Sequence, residues 1–195
     1  MLTLRSVRIG AVGPIDLTVE AGQCVGITGP SGIGKTRLLR AAADMEPFDG
    51  TVQLDETDSA ALPGPAWRCR VGLLPAESAW WRDRVGDHFP ASDGLPLDRL
   101  GIDPKAMDWP VNRLSSGERQ RLAILRLLAN RPKALLLDEP TASLDADNIH
   151  RAEALIADYR ERERVPVVWV GHDPAQLRRV ASRSYRLGPE GLSPL

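Results

Sequence analysis

Cys24-Val-Gly-Ile-Thr28 running directly into Gly29-Pro-Ser-Gly-Ile-Gly-Lys-Thr36 is the stretch on which the fold turns. The first five residues read as a buried strand, and Arg37-Leu-Leu-Arg-Ala-Ala-Ala behind the loop reads as a helix. Between them stand two glycines with four residues separating them, then Lys and Thr, which is a full phosphate-cradling pattern in its required strand, loop and helix setting. The glycines let backbone N–H groups close around an anion, and the dipole of the following helix adds to the field. Gly29, Pro30, Ser31, Gly32, Ile33, Gly34, Lys35 and Thr36 are therefore the candidate nucleotide-binding residues. Lys35 would balance the charge of the β- and γ-phosphates, and the Thr36 hydroxyl would ligate Mg²⁺.

Two further stretches decide what such a loop is for. Ala134-Leu-Leu-Leu-Asp-Glu-Pro-Thr141 reads as a buried strand ending in two adjacent carboxylates, so that a metal-phosphate complex can sit against Asp138 and Glu139. Paired acids after a strand can also do no more than cap the next turn. Leu114-Ser-Ser-Gly-Glu118 has the spacing of a capping box, Ser115 with Glu118, and Leu122, Leu125 and Leu128 follow at helical spacing. A helix start of this kind also presents free N–H groups to an anion.

The 195 residues, 43% hydrophobic and 26% charged, suffice for one sizeable core and leave no room for a second ordinary domain. A net charge of −1 leaves no nucleic-acid footprint, so no nucleic-acid partner is expected. Cys24 and Cys69 form no metal-spaced pair and read as reduced fillers. The N-terminus enters Leu2-Thr-Leu-Arg-Ser-Val7 with no signal peptide, and no apolar run approaches the roughly 18 residues of a membrane span. A cytoplasmic protein, soluble or peripheral, is expected.

Along the chain, Leu2 to Val7 and Ile15 to Val19 read as strands around a turn at Gly10 and Gly13-Pro14. Thr51 to Leu54 and Val71 to Leu74 follow, the latter behind a Pro/Gly-rich patch, Leu62-Pro-Gly-Pro-Ala66. Residues from about Ala76 to Arg131 lack strand candidates and predict a small helical layer. Ala134 to Leu137, a helix around Ile149 to Tyr159, Val165 to Val170 and a short helix after Pro174 complete the alternation. The pattern predicts an α/β fold, a mostly parallel sheet with an inserted helical subdomain over about 76–131, in one domain covering 1–195.

Several motifs, in order and over nearly the whole chain, resemble those of ABC-type ATPases, which are P-loop NTPases with a RecA-like core. Leu114-Ser115-Ser116-Gly117-Glu118 is similar to that family's Leu-Ser-Gly-Gly-Gln signature, with Ser116 for the first Gly and Glu118 for Gln. The resemblance implies that Asp138 holds Mg²⁺ through its hydration shell and that Glu139 is the base for the attacking water. It makes Ser143-Leu144-Asp145 the D-loop across a dimer interface and His172 the switch residue at the γ-phosphate. A lone His at a strand end is otherwise an ordinary structural polar group. In the family one subunit's signature completes its partner's ATP site, which implies that Ser115, Ser116, Gly117 and Glu118 act in trans in a head-to-tail dimer, here a homodimer. Pro132-Lys-Ala-Leu-Leu-Leu-Asp-Glu139 and Val167-Val-Trp-Val-Gly-His-Asp173 are further similar to the compact iron-export ATPases of the FetA type.

The chain also departs from the family. The aromatic residue that stacks on adenine is missing from Val7-Arg-Ile-Gly10, and Pro75-Ala76-Glu77 stands where Pro-Gln is usual, so Glu77 either reaches the metal or leaves that contact unmade. The segment from Ala76 to the signature is short and carries Trp80-Trp81, which cannot both face inward from one helix. The resemblance implies an ATPase subunit with ATP and Mg²⁺ as cofactors, peripheral at the inner face of the cell membrane. It would energise transport through a separately encoded membrane subunit that receives all direct membrane contact. A non-transport ABC ATPase acting on a protein or nucleic acid would show a coiled-coil insertion, zinc module or basic patch, none of which is present in the sequence. A small-metabolite kinase would leave Leu114–Glu118 and His172 without a role.

Overall fold

A computed structural model of the chain describes residues 1–90 and 94–195. Strands β1 (Leu2–Ile9), β2 (Val12–Val19) and β3 (Cys24–Thr28) precede helix α1 (Lys35–Ala42), β4 (Asp49–Leu54), the short β5 (Thr57–Asp58), α2 (Gly64–Arg70) and β6 (Val71–Leu74). They are followed by α3 (Ser116–Ala129), β7 (Ala134–Asp138), α4 (Ala146–Glu163), β8 (Val167–Val170), α5 (Pro174–Val180), β9 (Arg183–Gly188) and β10 (Gly191–Pro194).

Two sheets result. The smaller, antiparallel one has the order β2-β1-β4-β5, and the larger has the order β10-β9-β3-β8-β7-β6, parallel except for β10. Because successive strand residues point to opposite faces, each buried parallel strand feeds two cores. Val25, Ile27, Ala134, Leu136, Val168 and Val170 pack with α1 and the antiparallel sheet, while Cys24, Leu135, Leu137, Val167 and Trp169 pack with α3, α4 and α5. That two-sided burial explains why these strands read as continuous apolar runs.

The parallel register sets the functional edge. Ile27 pairs with Val170, Val170 with Asp138, and Leu137 with Leu74, so the loop after β3 and the residues after β6, β7 and β8 leave the sheet side by side. Ligands of open parallel sheets bind at this edge.

Three expectations change. The turn between β1 and β2 is Gly10-Ala11 alone, and Gly13-Pro14 lies inside β2. Pro14 is tolerated there because β2 is the edge strand and loses no ladder bond for its missing N–H. The proline-rich patch starts α2, with Pro65 in its first turn, since a proline in that position sacrifices no helical hydrogen bond. Trp67 is fully buried from that helix and donates from Nε1 to Ala42 O at 3.0 Å. The expected helical layer holds one α-helix, α3, and four short 3-10 turns among the described residues. Pro90, Pro96, Pro104 and Pro110 interrupt helical hydrogen bonding through that segment, of which residues 91–93 lie outside the description.

Candidate functional site

The loop after β3 is built by backbone conformations that L side chains resist. Gly29 has φ 151°, and a Cβ there would come 2.7 Å from Leu187 O of β9. Gly34 caps α1 at φ 111°. Pro30, Ser31 and Gly32 are exposed, Ile33 and Gly34 half-buried, and Thr36 exposed at the start of α1. Lys35 is buried, and its Nζ donates to Gly29 O at 2.9 Å and Pro30 O at 3.1 Å, so its charge lies inside the loop's own curve.

Thr36 Oγ1 donates to Asp138 Oδ2 at 2.7 Å, joining the loop to the end of β7. Asp138 is 2% exposed. Burial pushes its carboxyl above the ordinary value, with Glu139 adding to that effect and the Thr36 hydroxyl, Lys35 and Arg40 opposing it. Glu139 follows with φ 47°, an unusual conformation for a residue with a side chain, while its N–H still donates to Val170 O at 3.0 Å. From there its Oε1 lies 2.8 Å from His172 Nε2. A cavity of about 270 Å³ opens beside the pair, lined also by Leu144, Gly171 and Gln176.

The residues of Leu114–Glu118 form a second group. Ser115 is the N-cap of α3 in a complete capping box: Glu118 N–H donates to Ser115 Oγ at 3.2 Å, and Glu118 Oε2 accepts from Ser115 N–H at 2.9 Å. The Ser115 N–H, foremost, holds the Glu118 carboxyl below its ordinary value. Ser115 and Ser116 stay exposed, and Gly117 lies against Ser143 and Leu144, where an added Cβ would sit 3.6 Å from Ser143 O. Asp145 caps α4 by accepting from Asn148 N–H at 2.9 Å, which keeps its carboxyl below the usual range. The capping reading and the exposed helix start thus hold together.

Among the described residues, no hydrogen bond joins Ser115–Glu118 to Gly29–Thr36. Gln120 ties α3 to the segment after β7, its Nε2 donating to Pro140 O at 3.0 Å, and Arg121 ties the start of α3 to α4, donating to Leu100 O, Gly117 O and Asn148 Oδ1. Gln176 adds a third tie, from Thr141 Oγ1 to Glu153 Oε1, both at 2.8 Å. These three were missed in the sequence, where only their helical positions close behind a motif pointed to them.

Thr36 Oγ1 and Asp138 Oδ2 are oxygen donors of the kind a hard divalent cation takes, and they lie together. No group of three or more His, Cys, Asp or Glu side chains among the described residues forms a protein cage. A Mg²⁺ here fits as one that keeps waters and shares the nucleotide's phosphates. Glu77 leaves the same sheet edge, three residues beyond β6, but is exposed and bonds to neither Thr36 nor Asp138 among the described residues.

The sequence model of the ABC transporter family matches residues 12–142. Protein STAR1 of rice, Oryza sativa subsp. japonica, is 36% identical over 180 residues, covering 86% of this chain and 52% of that protein. The probable iron export ATP-binding protein FetA of Escherichia coli (strain K12) is 31% identical over 176 residues, covering 84% of this chain and 78% of that protein. A dimeric ATP-binding cassette solved in a post-hydrolysis state with ADP and Pi superposes with a TM-score of 0.84 at 24% identity, covering 99% of this chain and 97% of that one. The chain spans about half the length of STAR1 and 63% of the next curated relative, an aliphatic sulfonates import ATP-binding protein. Among the described residues no helix is long and apolar enough to cross a membrane.

Proposed function

The chain belongs to the ABC transporter ATPase family, and we infer that it binds and hydrolyses ATP as one subunit of a head-to-tail dimer that drives a separately encoded membrane subunit. The observation that carries this is the convergence at one sheet edge of Thr36 with Asp138 and of Glu139 with His172. Gly29 to Thr36 wrap the phosphates, and Lys35 exchanges its loop carbonyls for β- and γ-phosphate oxygens. Thr36 and Asp138 would hold the cation, Asp138 through water, and a Mg²⁺ held there would supply neutralisation of the charge developing on the transferred phosphoryl group.

Glu139 accepts a proton from the attacking water, while His172 orients the carboxylate and touches the γ-phosphate. The exposed Ser115 side chain and the N–H groups of Ser116 and Gly117 meet the γ-phosphate of the second subunit, and Asp145 lies at the interface between the two copies. Glu118 serves the signature by holding Ser115 in place. Glu77 stands at the position of the family's glutamine and either reaches the metal or leaves that contact unmade. Hydrolysis removes the γ-phosphate contacts and releases the dimer. The protein works in the cytoplasm, peripheral at the membrane's inner face, as one ATPase domain with its smaller layer at about 76–131.

Titration with a fluorescent ATP analogue tests the nucleotide cradle. Lys35→Ala is expected to weaken binding by about tenfold or more, since the ground-state triphosphate already feels that charge. Unchanged affinity would remove Gly29–Thr36 from the nucleotide site.

A further inference from the structure

Phosphates held by Gly29–Thr36, with the last one toward Glu139 and His172, send the ribose and base away from the ends of β7 and β8. The first turn of α1 directly follows the loop, and its Arg37 lies against the turn between β1 and β2. No aromatic ring stands in Val7–Gly10. A guanidinium does stand there: a methyl group added at Gly10 would lie 3.6 Å from Arg37 Nη1 and 3.8 Å from Nη2. Arg37 directly follows Thr36, and Glu46 fixes its head through an ion pair at Nε. Half of the side chain remains open, at 51% exposure, and its neighbours across the turn, Gly10 and the exposed Ala11, bring nothing larger than a methyl group.

Resting on the assignment of Gly29–Thr36 as the triphosphate loop, we propose that Arg37 receives the nucleobase, its guanidinium plane stacking face to face on the purine ring. Arg is suited to this because its planar, weakly hydrated head gives up less water than an ammonium and stacks on π-systems. Glu46 serves as the positioning residue that holds the plane. A stacked guanidinium reads the ring's face and not its hydrogen-bonding edge, so adenine and guanine nucleotides are accepted alike.

Calorimetric titration of ATP, GTP and inorganic tripolyphosphate, each with Mg²⁺, into the wild type and variants tests this. The wild type is expected to bind ATP and GTP within about threefold of each other. Arg37→Ala is expected to weaken both by about 5- to 30-fold while leaving tripolyphosphate unchanged. Arg37→Lys, which keeps the charge and loses the plane, should lose most of the same increment. Adding Ala11→Tyr to Arg37→Ala should restore ATP binding through a ring in the same space.

An equal loss for tripolyphosphate would make Arg37 a phosphate ligand and overturn the proposal. Unchanged ATP affinity, or no rescue by Ala11→Tyr, would overturn it too. Thermal midpoints of each variant separate these outcomes from misfolding, and Glu46→Gln should weaken ATP in the same direction without touching tripolyphosphate. Failure of the loop assignment itself looks different: Lys35→Ala would then leave tripolyphosphate binding intact.

Discussion

His172 Nε2 lies 2.8 Å from Glu139 Oε1, although the two stand 33 positions apart in the chain. The contact exists because β7 and β8 are parallel neighbours with Asp138 in register with Val170, so each residue emerges just past the same edge. The positive φ of Glu139 then turns its carboxylate toward the imidazole. Glu139→Gln keeps the size and the hydrogen-bond acceptor but removes the base. It is expected to bind ATP normally, to hydrolyse it about 100-fold more slowly or worse, and to sediment as a dimer when ATP is added. Near-normal turnover would take the base role away from Glu139, and a monomer in ATP would count against the composite site.

Arg121 supports the signature from behind. Buried at 8% exposure, it donates to Asn148 Oδ1 at 2.9 Å and Gly117 O at 3.3 Å as well as to Leu100 O, tying the start of α3 to the start of α4. Arg121→Leu leaves those acceptors unpaired, at a cost of about 2 to 4 kcal/mol in unfolding free energy. Arg121→Lys should recover only part of it, because an ammonium cannot reproduce the fork. An unchanged denaturant midpoint in Arg121→Leu would show that these bonds carry no net stability.

The parts of the fold that sequence reveals are those where one physical demand dominates. Cys24–Thr28, Ala134–Asp138 and Val167–Val170 are buried on both faces, so their apolar character is unbroken, and the glycines of the loop have few other uses. Strands β9 and β10 were invisible because neither is buried on both faces. Arg183 and Arg186 take exposed positions of β9, and Pro194 sits in β10, the edge strand, where a missing N–H is tolerated. In the site, Asp138, Glu139 and His172 were legible because each ends or follows a strong strand. Arg121, Gln120 and Gln176 were not, since a polar residue in a helix looks solvated until the packing of α3, α4 and α5 shows what it touches.

Glu153 sets an acid limit on stability. It is 8% exposed on α4, and although burial raises its carboxyl pKa, the bonds from Arg179 and Gln176 outweigh that and leave it below the ordinary value. A depressed folded-state pKa means stability that is complete above the unfolded carboxyl's range, about pH 4.5, and is lost as pH falls through the folded value. Thermal midpoints should therefore fall below about pH 4.5 in the wild type, and less steeply in Glu153→Gln, which should be less stable at pH 7. Parallel curves for the two proteins would assign the acid limb to other carboxylates.

Trp80 and Trp81, adjacent in the chain, have opposite surroundings. Trp80 is half-buried against the α3 side of the core with Arg126 Cζ 4.4 Å from its ring centroid, whereas Trp81 is 68% exposed, edge-on to His88 at 4.9 Å. His88 pins the segment by accepting at Nε2 from the N–H groups of Trp81 and Arg82, both at 3.0 Å, so Trp81 is displayed from a fixed backbone. A displayed ring contributes to an interface and little to the fold, while a packed one does the reverse. Trp80→Ala should therefore lower stability by about 2 kcal/mol or more. Trp81→Ala should change stability by less than about 0.5 kcal/mol and leave basal ATPase activity intact. It should also abolish co-sedimentation with the membrane fraction of producing cells. A large loss of stability in Trp81→Ala, or full retention on membranes, would show that this ring takes no part in the proposed contact with a membrane subunit.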